Sequence, residues 1–197
     1  MTGLEKLDEY IKQGNNIITA KIASEHGIHR EYLSEYVRLG KLERVEHGIY
    51  VTPDLWEDRM LLLQLRKYKM IYSHETALYL HDLTDRDPIA YSVTVPTGYN
   101  TSKLITEGLS VHTIKKELHE LGICIKPTTF GNYIRTYDME RTICDIIRDR
   151  NNQDIAVVSD ALKRYVRKKD KNLNILMQYA KLFRIEKTLR IYLEVLL

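Results

Sequence analysis

The stretch from Thr19 to Val51 constrains the fold of this chain more than any other part of the sequence. Apolar residues recur there at helical spacing in two short segments, and a strand-like segment with Gly48 near its centre follows directly. Thr19 can cap the first helix through its hydroxyl group, and Gly27 suits the left-handed residue that ends a helix. The pattern therefore predicts two helices that cross at a tight turn and a small hairpin after them, which is a winged helix-turn-helix.

The same pattern predicts which side chains of this unit face inward. Ile18 and Ile22 lie four residues apart on one helical face, and Ala23 is small where the second helix crosses above it. We expect the underside of the second helix to be buried at Ile28, Leu33 and Val37. Two short helices that only pack against each other give a similar pattern, but the strand, turn and strand of residues 42–51 favour a DNA-binding origin.

Polar side chains on the outer face of this unit are the candidate DNA contacts. We expect the major groove to be faced by His29, Arg30, Ser34 and Arg38. An arginine in the groove can donate two hydrogen bonds to guanine O6 and N7. The phosphates or the minor groove are predicted to be contacted by Lys41, Arg44 and His47, which lie near the hairpin and at its tip.

Composition sets the broad class of the protein. The 197 residues are 44% hydrophobic and 29% charged, which is typical of a globular chain of one large or two small domains. The formal net charge of +3 permits a polyanionic partner without demanding one. Cys124 and Cys144 are too few for a disulfide scaffold, and neither a signal peptide nor an apolar run of about 20 residues is present. We therefore expect a cytoplasmic protein.

Breaks in the pattern divide the chain into two predicted domains. Asp54 can cap a helix that extends to Tyr68, and Ser73 can cap another that ends before Pro88, which a helix does not tolerate. We predict a boundary between residues 53 and 88 and place it after residue 86. Residues 1–86 then form the winged domain with trailing helices, and residues 87–197 form the second domain.

The second domain is predicted to combine a small sheet with helices. Its strand candidates are residues 89–96, 109–114, 122–126 and 132–137, which are rich in β-branched and aromatic residues. Asp138 can cap a helix over residues 139–148, and three helical patterns follow from Ile155, Leu173 and Ile185. The fold class is therefore α+β, with a winged helix-turn-helix followed by a mixed domain.

Motifs for catalysis or for a metal are missing from the sequence. It has no phosphate-binding glycine loop and no dinucleotide fingerprint, and the His74-Glu75 pair lacks the second histidine of a zinc protease motif. The seven histidines and two cysteines show no ligand spacing, and Cys144 is predicted to be a small core residue. We predict no enzymatic activity, no cofactor and no metal.

Positive charge is concentrated near the C-terminus. Residues 162–197 contain ten Lys or Arg and three Asp or Glu. The candidate second basic patch comprises Lys163, Arg164, Arg167, Lys168, Lys169 and Lys171. Two interpretations of this run remain open. It can be a solvated helix end, where cations complement the helix dipole, or a surface that contacts the phosphates of DNA or RNA.

Two further stretches of the sequence, together with the winged unit, carry a resemblance to a known family over essentially the whole chain. The winged unit, Tyr72–Leu83 (YSHETALYLHDL) and Tyr137–Asp145 (YDMERTICD) together resemble the AbiEi antitoxins of the AbiE abortive-infection, type IV toxin–antitoxin systems. The resemblance implies a bacterial anti-phage module whose winged domain represses its own operon at inverted repeats in the promoter. It also implies that the C-terminal domain opposes a nucleotidyltransferase toxin without forming a stable complex. No motif defines the neutralising residues.

Two other functions remain open from the sequence. The C-terminal half can be an RNA- or protein-binding module, with the winged unit as a structural element only. An enzyme acting on nucleic acid is the third hypothesis, which no motif supports.

Overall fold

The computed structural model describes residues 2–14 and 16–196 and has an α+β fold. The chain forms two compact units. The first extends to Tyr68 and includes Thr128–Asn132, and the second comprises Lys69–Pro127 and the chain from Tyr133 onward. Among the described residues, no helix combines the length and the hydropathy that crossing a bilayer requires.

The first unit is a winged helix-turn-helix, as the sequence predicts. Its elements are α1 (Gly3–Lys12), β1 (Ile17–Thr19), α2 (Ala20–Glu25), α3 (Arg30–Arg38), β2 (Glu43–Glu46), β3 (Ile49–Val51), a 3-10 turn (Pro53–Glu57) and α4 (Arg59–Arg66). Within the described residues, the strands form an antiparallel sheet of order β1-β3-β2. Its hydrophobic core contains Leu7, Ile18, Ala23, Ile28, Leu33, Tyr36, Leu42 and Tyr50.

Three local predictions for this unit are wrong. Ile18 lies on strand β1, where it pairs with Tyr50, and not on a helix. Tyr36, rather than Val37, is buried on α3, since 2% of Tyr36 and 36% of Val37 is exposed. Asp58, rather than Asp54, caps α4, since its side chain accepts from the Leu61 amide at 3.0 Å.

The second unit is the predicted mixed domain. Its elements are β4 (Ile71–Tyr72), α5 (His74–Leu80), β5 (Ser92–Pro96), α6 (Ser102–Thr106), β6 (Ser110–Ile114), α7 (Lys116–His119), β7 (Ile123–Pro127), β8 (Tyr133–Tyr137), α8 (Met139–Arg148), α9 (Ile155–Arg167), α10 (Leu173–Leu182) and α11 (Glu186–Leu196). Its described strands form one mixed sheet of order β6-β5-β4-β8-β7. Asp138 caps α8 as predicted, because its side chain accepts from the Arg141 amide at 2.7 Å.

The division between the units differs from the predicted boundary after residue 86. Strand β4 lies in the middle of the second sheet, antiparallel to β5 and parallel to β8, so the chain from Lys69 onward belongs to the second unit. The loop of residues 128–132 belongs to the first unit instead. There, Thr128 Oγ1 and Asn132 Nδ2 donate to Asp58 Oδ2 at 2.5 and 2.9 Å.

Two stretches of the second unit carry the resemblance to the AbiEi antitoxins, and their central parts are mostly buried. These parts are Ser73–Ala77 and Glu140–Asp145. Thr76 Oγ1 accepts from the Ser92 amide at 2.8 Å and so fastens α5 to β5. Ser73 occupies the cap position of α5 but makes no side-chain capping bond, because its hydroxyl accepts from Thr94 Oγ1 at 2.8 Å. Every residue of Glu140–Asp145 is buried, including Cys144 in the core as predicted. These motifs therefore build the unit rather than form its surface.

Candidate nucleic-acid interface

The geometry of α2 and α3 is set by the way in which each helix ends. Gly27 has φ +66°, and the Ile28 amide after it donates to the Ala23 carbonyl at 2.7 Å. Gly40 ends α3 in the same way with φ +68°. This closure needs a left-handed residue, which glycine adopts without a Cβ clash. The tight turn after α2 allows α3 to begin at Arg30.

The predicted groove-facing side chains lie at the start and along the outside of α3. His29, Arg30, Ser34 and Arg38 are all exposed, with His29 at the N-cap position. Arg30 has no ion pair or side-chain hydrogen bond among the described residues, so its guanidinium needs no release before it binds a ligand. It is also the first residue of the helix, where a recognition helix contacts base edges.

Arg38 is held by the neighbouring Glu35. Its Nη2 and Nε atoms donate to the two Glu35 carboxylate oxygens at 2.7 and 3.1 Å. These hydrogen bonds lower the pKa of Glu35, which is therefore ionised at neutral pH. Because the Arg38 side chain is 75% exposed, the pair is weak and Arg38 can exchange it for DNA. The sequence does not predict this ion pair, because it depends on the conformations of both side chains.

The basic residue after α3 is also engaged. Lys41 Nζ lies 3.5 Å from Asp8 and 4.8 Å from the centroid of the Tyr36 ring. A hydrogen bond with Tyr36 and the charge of Lys41 lower the pKa of Asp8. Lys41 therefore lies beside α1, where Asp8 and the Tyr36 ring are its neighbours.

The wing is fixed to the helix-turn-helix at its turn. The Ala20 amide at the start of α2 donates to the Gly48 carbonyl at 2.8 Å. Arg44 Nη2 lies 2.9 Å from His47 Nδ1, and both side chains are exposed. The predicted wing residues therefore form one exposed pair beside α2.

The charge balance of the winged unit is close to neutral. Residues 2–51 contain seven Lys or Arg and eight Asp or Glu. A nearly neutral unit has little long-range attraction for a polyanion, so any affinity for DNA would depend on the placement of individual cations.

The second basic patch is partly neutralised within its own unit. Arg164 lies 2.9 Å from Asp160 and 3.1 Å from Asp85, and Lys168 lies 3.7 Å from Asp82. Lys171 Nζ donates to the Lys168 carbonyl at 3.2 Å. In the part of the chain that the structure describes, the exposed cations of the patch without an ion pair are Lys163, Arg167 and Lys169.

A family model described as "Transcriptional regulator, AbiEi antitoxin" matches residues 5–53. The resemblance to the AbiEi antitoxins is confirmed over this unit. The match begins within α1 and extends through α2, α3 and the wing, so it coincides with the DNA-binding geometry described above. Comparison with the curated proteins gives no match.

The fold also has a solved counterpart. The crystal structure of the RV2827C protein from Mycobacterium tuberculosis superposes with a TM-score of 0.54. The alignment covers 90% of this chain and 72% of that chain at 13% sequence identity. At this identity the likeness shows the fold alone.

Proposed function

We propose that this protein is a DNA-binding antitoxin that represses its own operon in the cytoplasm and opposes a nucleotidyltransferase toxin. The observation that supports the DNA-binding part is the exposed guanidinium of Arg30 at the start of α3, which has no ion pair among the described residues and lies within a unit that matches the AbiEi regulators. Inverted repeats in the promoter are the proposed site.

In the proposed complex, α3 lies in the major groove. Arg30 donates two hydrogen bonds to a guanine, and Ser34 follows one turn later on the same exposed face. Arg38 leaves Glu35 and reaches the groove or a flanking phosphate. The wing pair of Arg44 and His47 contacts phosphates or the minor groove, and Lys41 fixes the register through the DNA backbone.

The second unit is proposed to carry the action against the toxin. The motif residues that connect it with the AbiEi antitoxins, such as Thr76 and Arg141, are buried and hold the fold together. The residues that act on the toxin or on its substrate must therefore lie elsewhere on this unit. Lys163, Arg167 and Lys169 are candidates because they are exposed and have no ion pair among the described residues.

These three cations also favour a second candidate function, in which the second unit binds RNA or an acidic protein. A triple substitution of Lys163, Arg167 and Lys169 by alanine separates the two functions. If the triple variant loses promoter binding while the Arg30 and Arg38 variants keep it, the second unit is the binding module and the winged unit is structural.

The two proposed activities should be separable in cells. We expect the double variant Arg30→Ala/Arg38→Ala to lose repression of a reporter driven by the protein's own promoter and yet to keep its protection against the toxin of the neighbouring gene. Lys12→Ala is the matched control, because it removes an exposed cation from another helix of the same unit. Full repression by the double variant contradicts the proposal that α3 binds the promoter. Loss of protection contradicts the proposal that the second unit alone opposes the toxin.

A further inference from the structure

A pair of histidines and a carboxylate come together in the second unit, apart from the proposed DNA interface. The rings of His74 and His112 stack with their centroids 3.4 Å apart and their planes 12° from parallel. With Asp149, each offers one ligand atom, and these three atoms all lie within 4.8 Å of one another. His74 begins α5, His112 lies on β6 and Asp149 follows α8, so three separate elements converge at this cluster.

Two independent features show that packing alone does not explain the cluster. His74 has φ +48°, a left-handed conformation that is uncommon for any residue other than glycine. The Nε2 atom of His112 is buried and has no hydrogen-bond partner among the described residues. A ring stack leaves that nitrogen unsatisfied, and an unsatisfied buried polar atom is destabilising.

We propose that His74, His112 and Asp149 bind a divalent transition-metal ion of the zinc class. Two imidazole nitrogens and one carboxylate oxygen suit Zn²⁺, and three protein ligands leave a position open for water or a further ligand. A metal bond to His112 Nε2 would satisfy the unpartnered nitrogen. The site would be additional to DNA binding and does not depend on it.

The surroundings of the cluster hold the proposed ligands in place. His74 Nδ1 lies 3.0 Å from Ser73 Oγ, so ligation through Nε2 requires Nδ1–H to donate to that hydroxyl. The Asp149 carboxylate accepts from Asn152 Nδ2 at 2.7 Å and from Gln153 Nε2 at 3.0 Å. Hydrogen bonds of this kind, from neighbouring residues to the ligand side chains, orient the ligands in most metal sites.

The local charges favour a cation at this position. The carboxylates of Asp149 and Glu75 act on both His74 and His112, and they are opposed there by the guanidinium of Arg148. Burial keeps the imidazole of His74 in its neutral, metal-binding form. An incoming dication therefore meets more negative than positive charge.

Binding should also change the ring stack. Two ligand atoms of a tetrahedral zinc ion lie roughly 3.3 Å apart, given bonds of about 2.0–2.1 Å. Nearly parallel rings do not direct their nitrogens at one point, so the two rings must tilt for both nitrogens to converge on the ion. The imidazole NMR resonances of His74 and His112 should shift together on addition of zinc.

Calorimetric titration of the full chain with zinc chloride, after removal of metals with EDTA, tests the proposal. We expect one tight site per chain. His112→Gln and Asp149→Asn should each weaken it by at least about 10–100-fold, the loss that is typical even of an outer-shell substitution. His26→Gln, which removes an exposed histidine of the first unit, should leave it unchanged.

Circular dichroism shows whether each variant is folded. If His112→Gln is unfolded, Asp149→Asn and the imidazole resonances of the unsubstituted protein decide the question. The proposal is overturned if zinc does not bind, if binding survives in the folded variants, if it is lost in His26→Gln, or if the two histidine resonances do not move.

Discussion

Replacing Arg141 by alanine should lower the free energy of unfolding by about 3–5 kcal/mol, the range for removal of one partner of a buried ion pair. The Arg141 side chain is fully buried on α8. Its Nε donates to Asp145 Oδ2 at 2.9 Å, and its Nη1 donates to the carbonyls of Leu118 and Leu121 at 2.8 and 3.0 Å. The guanidinium also lies 4.2 Å from the centroid of the Tyr137 ring and 4.4 Å from that of Phe183.

The size of this effect follows from what the substitution leaves behind. Without Arg141, the Asp145 carboxylate remains buried, with Arg148 as the cation near it at 3.7 Å. Burial already raises the pKa of Asp145, and loss of the Arg141 charge raises it further. Two carbonyls also lose their donor, so several polar groups become unsatisfied at once.

Urea unfolding followed by circular dichroism measures the effect, with Arg148→Ala as the control. Arg148 lies on the same helix and near the same carboxylate, but its side chain is 34% exposed. We expect its removal to lower the free energy of unfolding by less than that of Arg141, because Arg148 is partly exposed and lies 3.7 Å from the carboxylate. If both substitutions lower the free energy of unfolding equally, the buried ion pair of Arg141 with Asp145 does not have the stabilising role assigned to it.

The second large effect is expected in DNA binding. Arg30→Ala and Arg38→Ala should each weaken binding of the full chain to its promoter by about 1–3 kcal/mol where the residue contacts a base. Glu35→Gln should act in the opposite direction, because it removes the carboxylate that holds Arg38 and a negative charge from the DNA-facing helix. Gel-shift titrations at fixed salt measure all three.

Salt dependence and a charge-matched control complete this test. The logarithm of the affinity should fall with the logarithm of the salt concentration by about 0.9 for each phosphate neutralised, so a substitution of a phosphate-contacting cation lowers the slope by about one. Lys12→Ala makes the same charge change on α1 and should leave affinity nearly unchanged. Undiminished binding by the double Arg30/Arg38 variant is incompatible with α3 as the recognition helix.

Features that depend on neighbouring residues could be predicted from the sequence. Thr19 caps α2, Gly27 ends it, and Asp138 caps α8, because each of these acts on its own turn of the chain. Strands β1 and β4 were missed since they are only three and two residues long. Their existence depends on pairing with strands far along the chain, which a local pattern does not contain.

The candidate site was predictable to a similar extent. The exposed faces of α3 and the wing follow from helical and strand periodicity, whereas the pairing of Arg38 with Glu35 depends on the choice of side-chain conformation. The approach of His74 to His112 depends on the sheet, which places α5 and β6 beside each other, so no spacing in the sequence reveals it.

Amide NMR spectra of the full chain, recorded with and without a duplex that carries its own promoter, test the central claim most directly. We expect the largest shifts on DNA binding at residues 29–38 of the helix-turn-helix and 44–48 of the wing. Shifts confined to residues 163–171, with α3 unperturbed, would show that DNA binds elsewhere and would contradict it.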